Sequence, residues 1–186
     1  MVNRTVSFFA FCALLMLVSG TGEASAQANV LVMSDFEKGT QKWEARGERV
    51  MVSSSKDQAQ SGTKSLKVTG RSANWQGTQL NITSLLKPKN TYRFTASLKL
   101  ATNEKPDDVK LTLQRGDNVF DGIAAATVNG EQWTTISGKI RYAGGDPYVL
   151  VYIESLRRNT SFYVDDFKLE NLGDDIPEQT GVLLKN

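Results

Sequence analysis

What most constrains this chain is a side-chain period of two that begins near Val30 and runs through most of the sequence beyond it. In YRFTASLKL, Tyr92, Phe94, Ala96, Leu98 and Leu100 fall on one side, and Arg93, Thr95, Ser97 and Lys99 on the other. Such alternation belongs to strands buried on one face, because successive β side chains point to opposite sides of a sheet. DVKLTLQ repeats the pattern with Val109, Leu111 and Leu113, and SLKV and QLNIT repeat it more briefly with Leu66, Val68, Leu80 and Ile82. Turn-forming clusters such as SGTK, NEKPDD, RGDN, NGEQ and AGGDP punctuate these runs at intervals of roughly 8 to 14 residues. About ten short strands and no convincing helix predict an all-β fold, a jelly-roll β-sandwich of two antiparallel sheets.

The alternation fails in DPYVLVYIES. Val149, Val151 and Ile153 make an ordinary core face, but the other face carries Tyr148, Leu150, Tyr152 and Glu154. A solvent face has no use for that much apolar surface, and a fully buried face would leave Glu154 in need of a partner. The alternative is a concave, partly wet face holding aromatics and one carboxylate, which is how a binding cleft is furnished.

Composition removes several chemistries. Residues 1–26 read as an export signal, with Arg4 before the apolar run FFAFCALLMLV and Ala24-Ser25-Ala26 as a cleavage site; the run is too short to span a membrane. Cys12 is the single cysteine and would leave with that segment, and the chain has no histidine. Serine triads of the usual kind, cysteine–histidine pairs, disulfides and ordinary zinc sites are thereby excluded from the mature chain. Loss of Arg4 and Glu23 would leave the net charge at +2, which is no nucleic-acid footprint. These features predict a secreted protein, expected to be a monomer, with neither membrane nor nucleic acid as partner. After Leu169 the periodicity stops, and residues 171–186 read as a tail or linker.

The loop GRSANWQG places Trp75 among Ser72, Asn74, Gln76 and Gly77, polar or small neighbours that suit a surface rather than a core. An exposed indole there suits the apolar C–H face of a sugar ring. Arg71 beside it reads as a solvated rim charge. Arg46, between Ala45 and Gly47, can donate two hydrogen bonds from its planar fork, and Glu154 can accept charge-assisted bonds from hydroxyls. Trp43 and Trp133 read as structural. Asp165 and Asp166 face opposite ways on one strand, so at least one must meet solvent, a donor or a cation.

Together, FEKGTQKWEARG, AQSGTKSLKVTGRSANWQG, VYIES and FYVDDFKLE resemble the xylan-binding carbohydrate-binding modules attached to bacterial xylanases, within the jelly-roll group of cellulose- and xylan-binding modules. The resemblance covers Asn29 to Glu170 and assigns residues 27–170 to one binding domain. It implies a non-catalytic module that holds xylan or a related β-1,4-linked glycan in a cleft. Carried over, the arginine of W-x-x-R-G falls on Arg46, the tryptophan of R-x-x-x-W-x-G on Trp75 and the acid of the Y-V-E strand on Glu154. A cleft aromatic falls on Phe120, where a tyrosine is usual, so the stacking face stays and a hydroxyl is lost. Tyr152 or Tyr148 would supply a further phenol. The resemblance also implies a structural calcium away from the cleft. With Glu37, Asp165 or Asp166 and the backbone carbonyls around Ser61 to Lys64, an oxygen-only cage of the kind calcium takes becomes available. Three other readings compete: a hydrolase using Glu154 with Asp121, Asp165 or Asp166, a fragment of a xylanase, and an adhesion or protein-interaction sandwich docking through Tyr148, Leu150 and Tyr152.

Overall fold

The computed structural model describes residues 29–174. The export-signal reading of residues 1–26 lies outside them, as does most of the tail. Eleven strands and one 3-10 turn (Thr83–Leu85) make up the regular structure among the described residues. One sheet runs in the order β2 (Glu44–Arg46), β5 (Gly77–Asn81), β10 (Val149–Ser155), β7 (Asp107–Arg115), β8 (Val119–Val128). The other runs β3 (Met51–Ser55), β4 (Ser65–Thr69), β11 (Phe162–Asn171), β6 (Thr91–Leu100), β9 (Thr134–Arg141), and β1 (Asn29–Ser34) joins it along β11. Every strand pair is antiparallel. This is the expected two-sheet sandwich.

The alternating residues meet between the sheets. Tyr92, Phe94, Ala96, Leu98 and Leu100 of β6 are all buried, facing Val109, Leu111 and Leu113 of β7 and Val149, Val151 and Ile153 of β10 in one continuous core. Trp43 closes one end as expected: its indole lies edge-on to Phe167 and Phe36, with ring centroids 4.8 and 6.3 Å away, and its N–H donates to the Ser34 hydroxyl at 3.2 Å. Truncating such a buried aromatic costs about 3–5 kcal/mol. Trp133, just before β9, is only partly buried.

The ordered sandwich continues slightly past residue 170. β11 ends at Asn171, Leu172 is buried, and Thr91 donates its N–H to the Gly173 carbonyl at 2.7 Å. Residues 175–186 lie outside the described structure.

Candidate functional site

The central place of β10 in the five-stranded sheet explains its second apolar face. Val149, Val151 and Ile153 go to the core, so Leu150, Tyr152 and Glu154 must look outward with their cross-strand neighbours. Register then aligns Arg46, Gly77, Glu154 and Lys110 in one row, and Gln79, Tyr152 and Thr112 in the next. Gly77 leaves that charged row open between Arg46 and Glu154. No other residue fits there, since a Cβ would lie 1.9 Å from the Ile153 carbonyl oxygen.

A groove of about 450 Å³ forms over these rows, and it gathers Arg46, Trp75, Phe120, Tyr152 and Glu154, the full set of ligand residues expected from the sequence. Asn74, Lys110 and Leu156 complete its wall. Trp75 rises at the β5 side and Phe120 at the β8 side, each 51% exposed. Tyr152 forms the floor at only 5% exposure, with the Arg46 guanidinium 3.9 Å above its ring centre. That stack leaves no ring face of Tyr152 for a sugar on the groove side. Of the two phenols, Tyr152 lines the groove, whereas the Tyr148 hydroxyl donates to Asp117 at 2.5 Å and accepts from Gln114 at 3.3 Å.

Arg46 is held in place by neutral acceptors. It donates to the Gln114 and Gln79 side-chain oxygens at 2.8 and 3.1 Å and to the Trp75 carbonyl at 3.3 Å. Gln114 is spent in this role, because its amide nitrogen donates to the Gly116 carbonyl at 2.9 Å and to Tyr148. Glu154 is the opposite case: half-buried, it has no hydrogen-bond or ion-pair partner among the described residues. Burial pushes its carboxyl above the ordinary range, and Arg46, Lys110 and Arg71 partly offset that by their charge. It is also the single carboxylate on the groove wall, so the carboxylate pair that glycoside hydrolysis needs is not assembled there.

Arg71 is not a rim charge. It is 3% exposed, and its guanidinium donates to the carbonyls of Gln76 (2.6 Å), Arg157 and Thr160 (both 3.0 Å), Asn74 (3.2 Å), Ala73 (3.4 Å) and Ser155. The physical reason is donor count: five N–H groups on a rigid fork can satisfy the inward carbonyls of two loops at once. Burial lowers its pKa, while Asp107, Glu154 and Glu104 act the other way. Gln76 is likewise buried rather than exposed, its oxygen accepting the N–H groups of Ser72 and Ala73 and its nitrogen donating to the Glu48 carbonyl at 3.2 Å. These two side chains shape the loop from within and turn Trp75 out of it.

The acidic residues lie apart from this groove. β11 is bulged between Asp165 and Lys168, with Asp166 in the left-handed region at φ 47°. Asp165 is fully buried and accepts the N–H groups of Gln60 (2.8 Å), Ser61 (3.2 Å) and Asp166 (2.8 Å). Its pKa is raised by desolvation against those bonds. Asp166 accepts from the Ser61 hydroxyl at 2.6 Å. Glu37 accepts from the Thr63 and Lys64 N–H groups, both at 2.8 Å, and from the Thr63 hydroxyl at 2.7 Å, which lowers its pKa. Glu37, Ser61, Lys64, Asp165 and Asp166 are thus brought to one loop, but the loop presents amide N–H groups to the carboxylates where carbonyls were expected. The oxygen donors suit a hard cation; as arranged they do not enclose one, and no group of three acidic side chains fit to hold a metal occurs among the described residues.

Residues 28–160 match the model of a family described as a carbohydrate binding domain. The chain is 33% identical to endo-1,4-β-xylanase C of Paenibacillus barcinonensis over 160 residues, and 34% identical to endo-1,4-β-xylanase A of Thermotoga neapolitana over 151 residues. These stretches cover 81% and 77% of this chain but 14% of each xylanase. Among solved structures, the family 22 xylan-binding domain of the Paenibacillus barcinonensis xylanase superposes with a TM-score of 0.74 at 30% identity, covering 78% of this chain and 96% of that domain. The C-terminal family 22 carbohydrate binding module of Clostridium thermocellum Xyn10B superposes at 0.72 and 26%, covering 83% and 98%. What this chain shares with the xylanases is their non-catalytic binding module. It belongs to the carbohydrate binding domain family, in the group of xylan-binding modules that accompany xylanases.

Proposed function

We propose that this chain is an exported, non-catalytic module that binds xylan or a related β-1,4-linked glycan in the groove of the five-stranded sheet. The observation that carries this reading is the convergence on that groove of two exposed aromatics, a braced guanidinium and a carboxylate without a partner. Trp75 and Phe120 would cover sugar ring faces, where C–H groups are apolar. Arg46 and Glu154 would satisfy the equatorial hydroxyls, each bond to a charged group contributing about 1.5–3 kcal/mol. Association costs several kcal/mol, leaving roughly −5 to −7 kcal/mol and a Kd of about 10–200 μM. Holding a tethered enzyme at its polymer is the use of such an affinity.

A structural calcium belongs to the same proposal. Glu37, Asp165 and Asp166 with the carbonyls of Ser61 and Lys64 would hold it on the far loop once that loop turned its carbonyls in place of its amides, and it would supply stability rather than glycan contact. Thermal unfolding with and without a chelator tests this, and a Tm unmoved by chelation would remove calcium from the account.

Isothermal titration calorimetry of the chain against xylohexaose and cellohexaose, beside Trp75→Ala, tests the groove. Saturable binding weakened at least ten-fold by the substitution is expected, with little change in Tm because the indole is exposed. Equal binding by the variant would move the site elsewhere, and no binding of either ligand by folded protein would favour a protein-docking surface.

A further inference from the structure

A second pocket of about 320 Å³ lies on β7 and β8 beside the groove, and Lys110 lines both. Beside Lys110 its walls are Leu111 and Thr112 of β7 and Gly122, Ile123, Ala124 and Ala125 of β8, three of them small. The smallness has a structural origin. β8 is bulged opposite Leu111 and Thr112, so the strand steps aside at Ile123, and Gly122 and Ala125 are the residues that register against Thr112 and Lys110. The hollow thus adjoins the groove, with Lys110 the lining residue common to both.

That ammonium is unclaimed. Among the described residues Lys110 has no hydrogen bond and no carboxylate within ion-pair distance; Glu154, its register partner on β10, acts on it only through longer-range charge. Around the groove, Arg46 and Lys110 set two positive charges against the one carboxylate of Glu154, and Arg46 is itself held only by neutral acceptors. A neutral polysaccharide can accept a hydrogen bond from the spare cation but cannot neutralise its charge. A branch that carried a carboxylate would enter the side pocket over Gly122 and Ala125 and meet it.

We propose that the side pocket on β7 and β8 is a subsite for an acidic branch, and that Lys110 selects glycans whose backbone bears a uronic acid substituent over their neutral counterparts. This rests on the groove being the glycan site. The pairing is at a partly exposed position, so its contribution is modest, about five-fold in affinity at low salt, and it is weakened by added salt.

The test uses the full chain and calorimetric titration with three probes: unbranched xylohexaose, a xylo-oligosaccharide of the same backbone bearing one glucuronic acid branch, and the carboxyl-reduced form of that branched probe. The carboxylate probe is expected to bind about five-fold tighter than its reduced form in about 20 mM salt, with the ratio falling toward one in about 0.5 M salt. Lys110→Gln should bring the ratio to one at low salt, and Lys110→Arg should preserve it, whatever either does to the affinity for xylohexaose. A ratio of one in the unmodified protein, or an unchanged ratio in Lys110→Gln, overturns the subsite while leaving the groove intact. If xylohexaose and both branched probes fail to bind folded protein, the glycan groove itself is wrong and the subsite goes with it.

Discussion

Glu154 in the groove and Glu37 on the far loop are glutamates of one domain with opposite surroundings. Glu37 has both carboxylate oxygens filled by Thr63 and Lys64 donors, and its pKa is lowered. Glu154 accepts no bond from any described residue, and its pKa is raised. A carboxylate whose acceptors are full organises its own chain. One left half-buried and empty costs stability in the free protein, and the folded chain tolerates it where a ligand supplies the missing donors. The same division separates the two arginines: Arg71 spends its fork on backbone carbonyls, whereas Arg46 is steadied by amide oxygens and an aromatic ring with its edge still on the groove.

The largest effect should come from the residue that looks least like a site. Arg71→Met removes the donors for carbonyls in both the loop after β4 and the loop after β10, and each buried carbonyl left bare costs about 1–3 kcal/mol without strict additivity. Chemical denaturation should show a loss on the order of 4 kcal/mol or more, accompanied by loss of xylohexaose binding as Trp75 loses its support. If stability barely moved while binding vanished, Arg71 would belong with the ligand residues, and the contrast with Arg46 would collapse.

Glu154→Gln comes next. Exchanging a charged acceptor for a neutral one should weaken xylohexaose about ten-fold or more. Stability should move the other way. Because the folded-state pKa is raised, the ionised form is the disfavoured one: the associated stability is present at pH below the ordinary carboxyl value and is lost as pH rises through the folded pKa. The variant should therefore melt above the unmodified protein at pH 7, with the gap closing toward pH 4. Glycan affinity of the unmodified protein should fall over that same acid range as Glu154 takes up its proton. A variant that melts lower at pH 7 would mean that Glu154 has a structural partner.

How much of this is legible in the chain depends on how far apart the interacting residues lie. The sandwich rests on alternation within single strands, and the groove face on a failure of alternation in one strand, so Tyr152 and Glu154 can be read locally. Trp75 stands out because its neighbours are small or polar. Arg71 misleads because its acceptors at Ser155, Arg157 and Thr160 lie more than 80 positions away and are backbone atoms, which leave no mark in side-chain pattern. Gln76 misleads because most of its partners are backbone atoms, the N–H groups of Ser72 and Ala73 close by and the Glu48 carbonyl far off. On the far loop the right residues come together, but whether a loop turns carbonyls or amides toward a carboxylate is a matter of φ and ψ, to which composition is blind. Lys110 draws no notice because a lysine on the polar face of a strand is ordinary, and only the register shows that its neighbour on β8 is the small Ala125.

The smallest effect tests the other half of the contrast. Glu37→Gln keeps the shape of the side chain and most of its acceptors but gives up the charge that favours the Thr63 and Lys64 donors. With Glu37 ionised below its ordinary pKa, the stability it lends is present above that value and is lost as pH falls through the folded pKa. The substitution should lower Tm slightly at pH 7, by less as the pH approaches the carboxyl range, and leave xylohexaose affinity unchanged. Should the same substitution abolish a calcium-dependent rise in Tm, the loop is a metal site whose amides turn when the ion arrives. Should it weaken glycan binding, the loop and the groove are coupled through β11 and β4, and a full carboxylate would no longer mark a purely structural one.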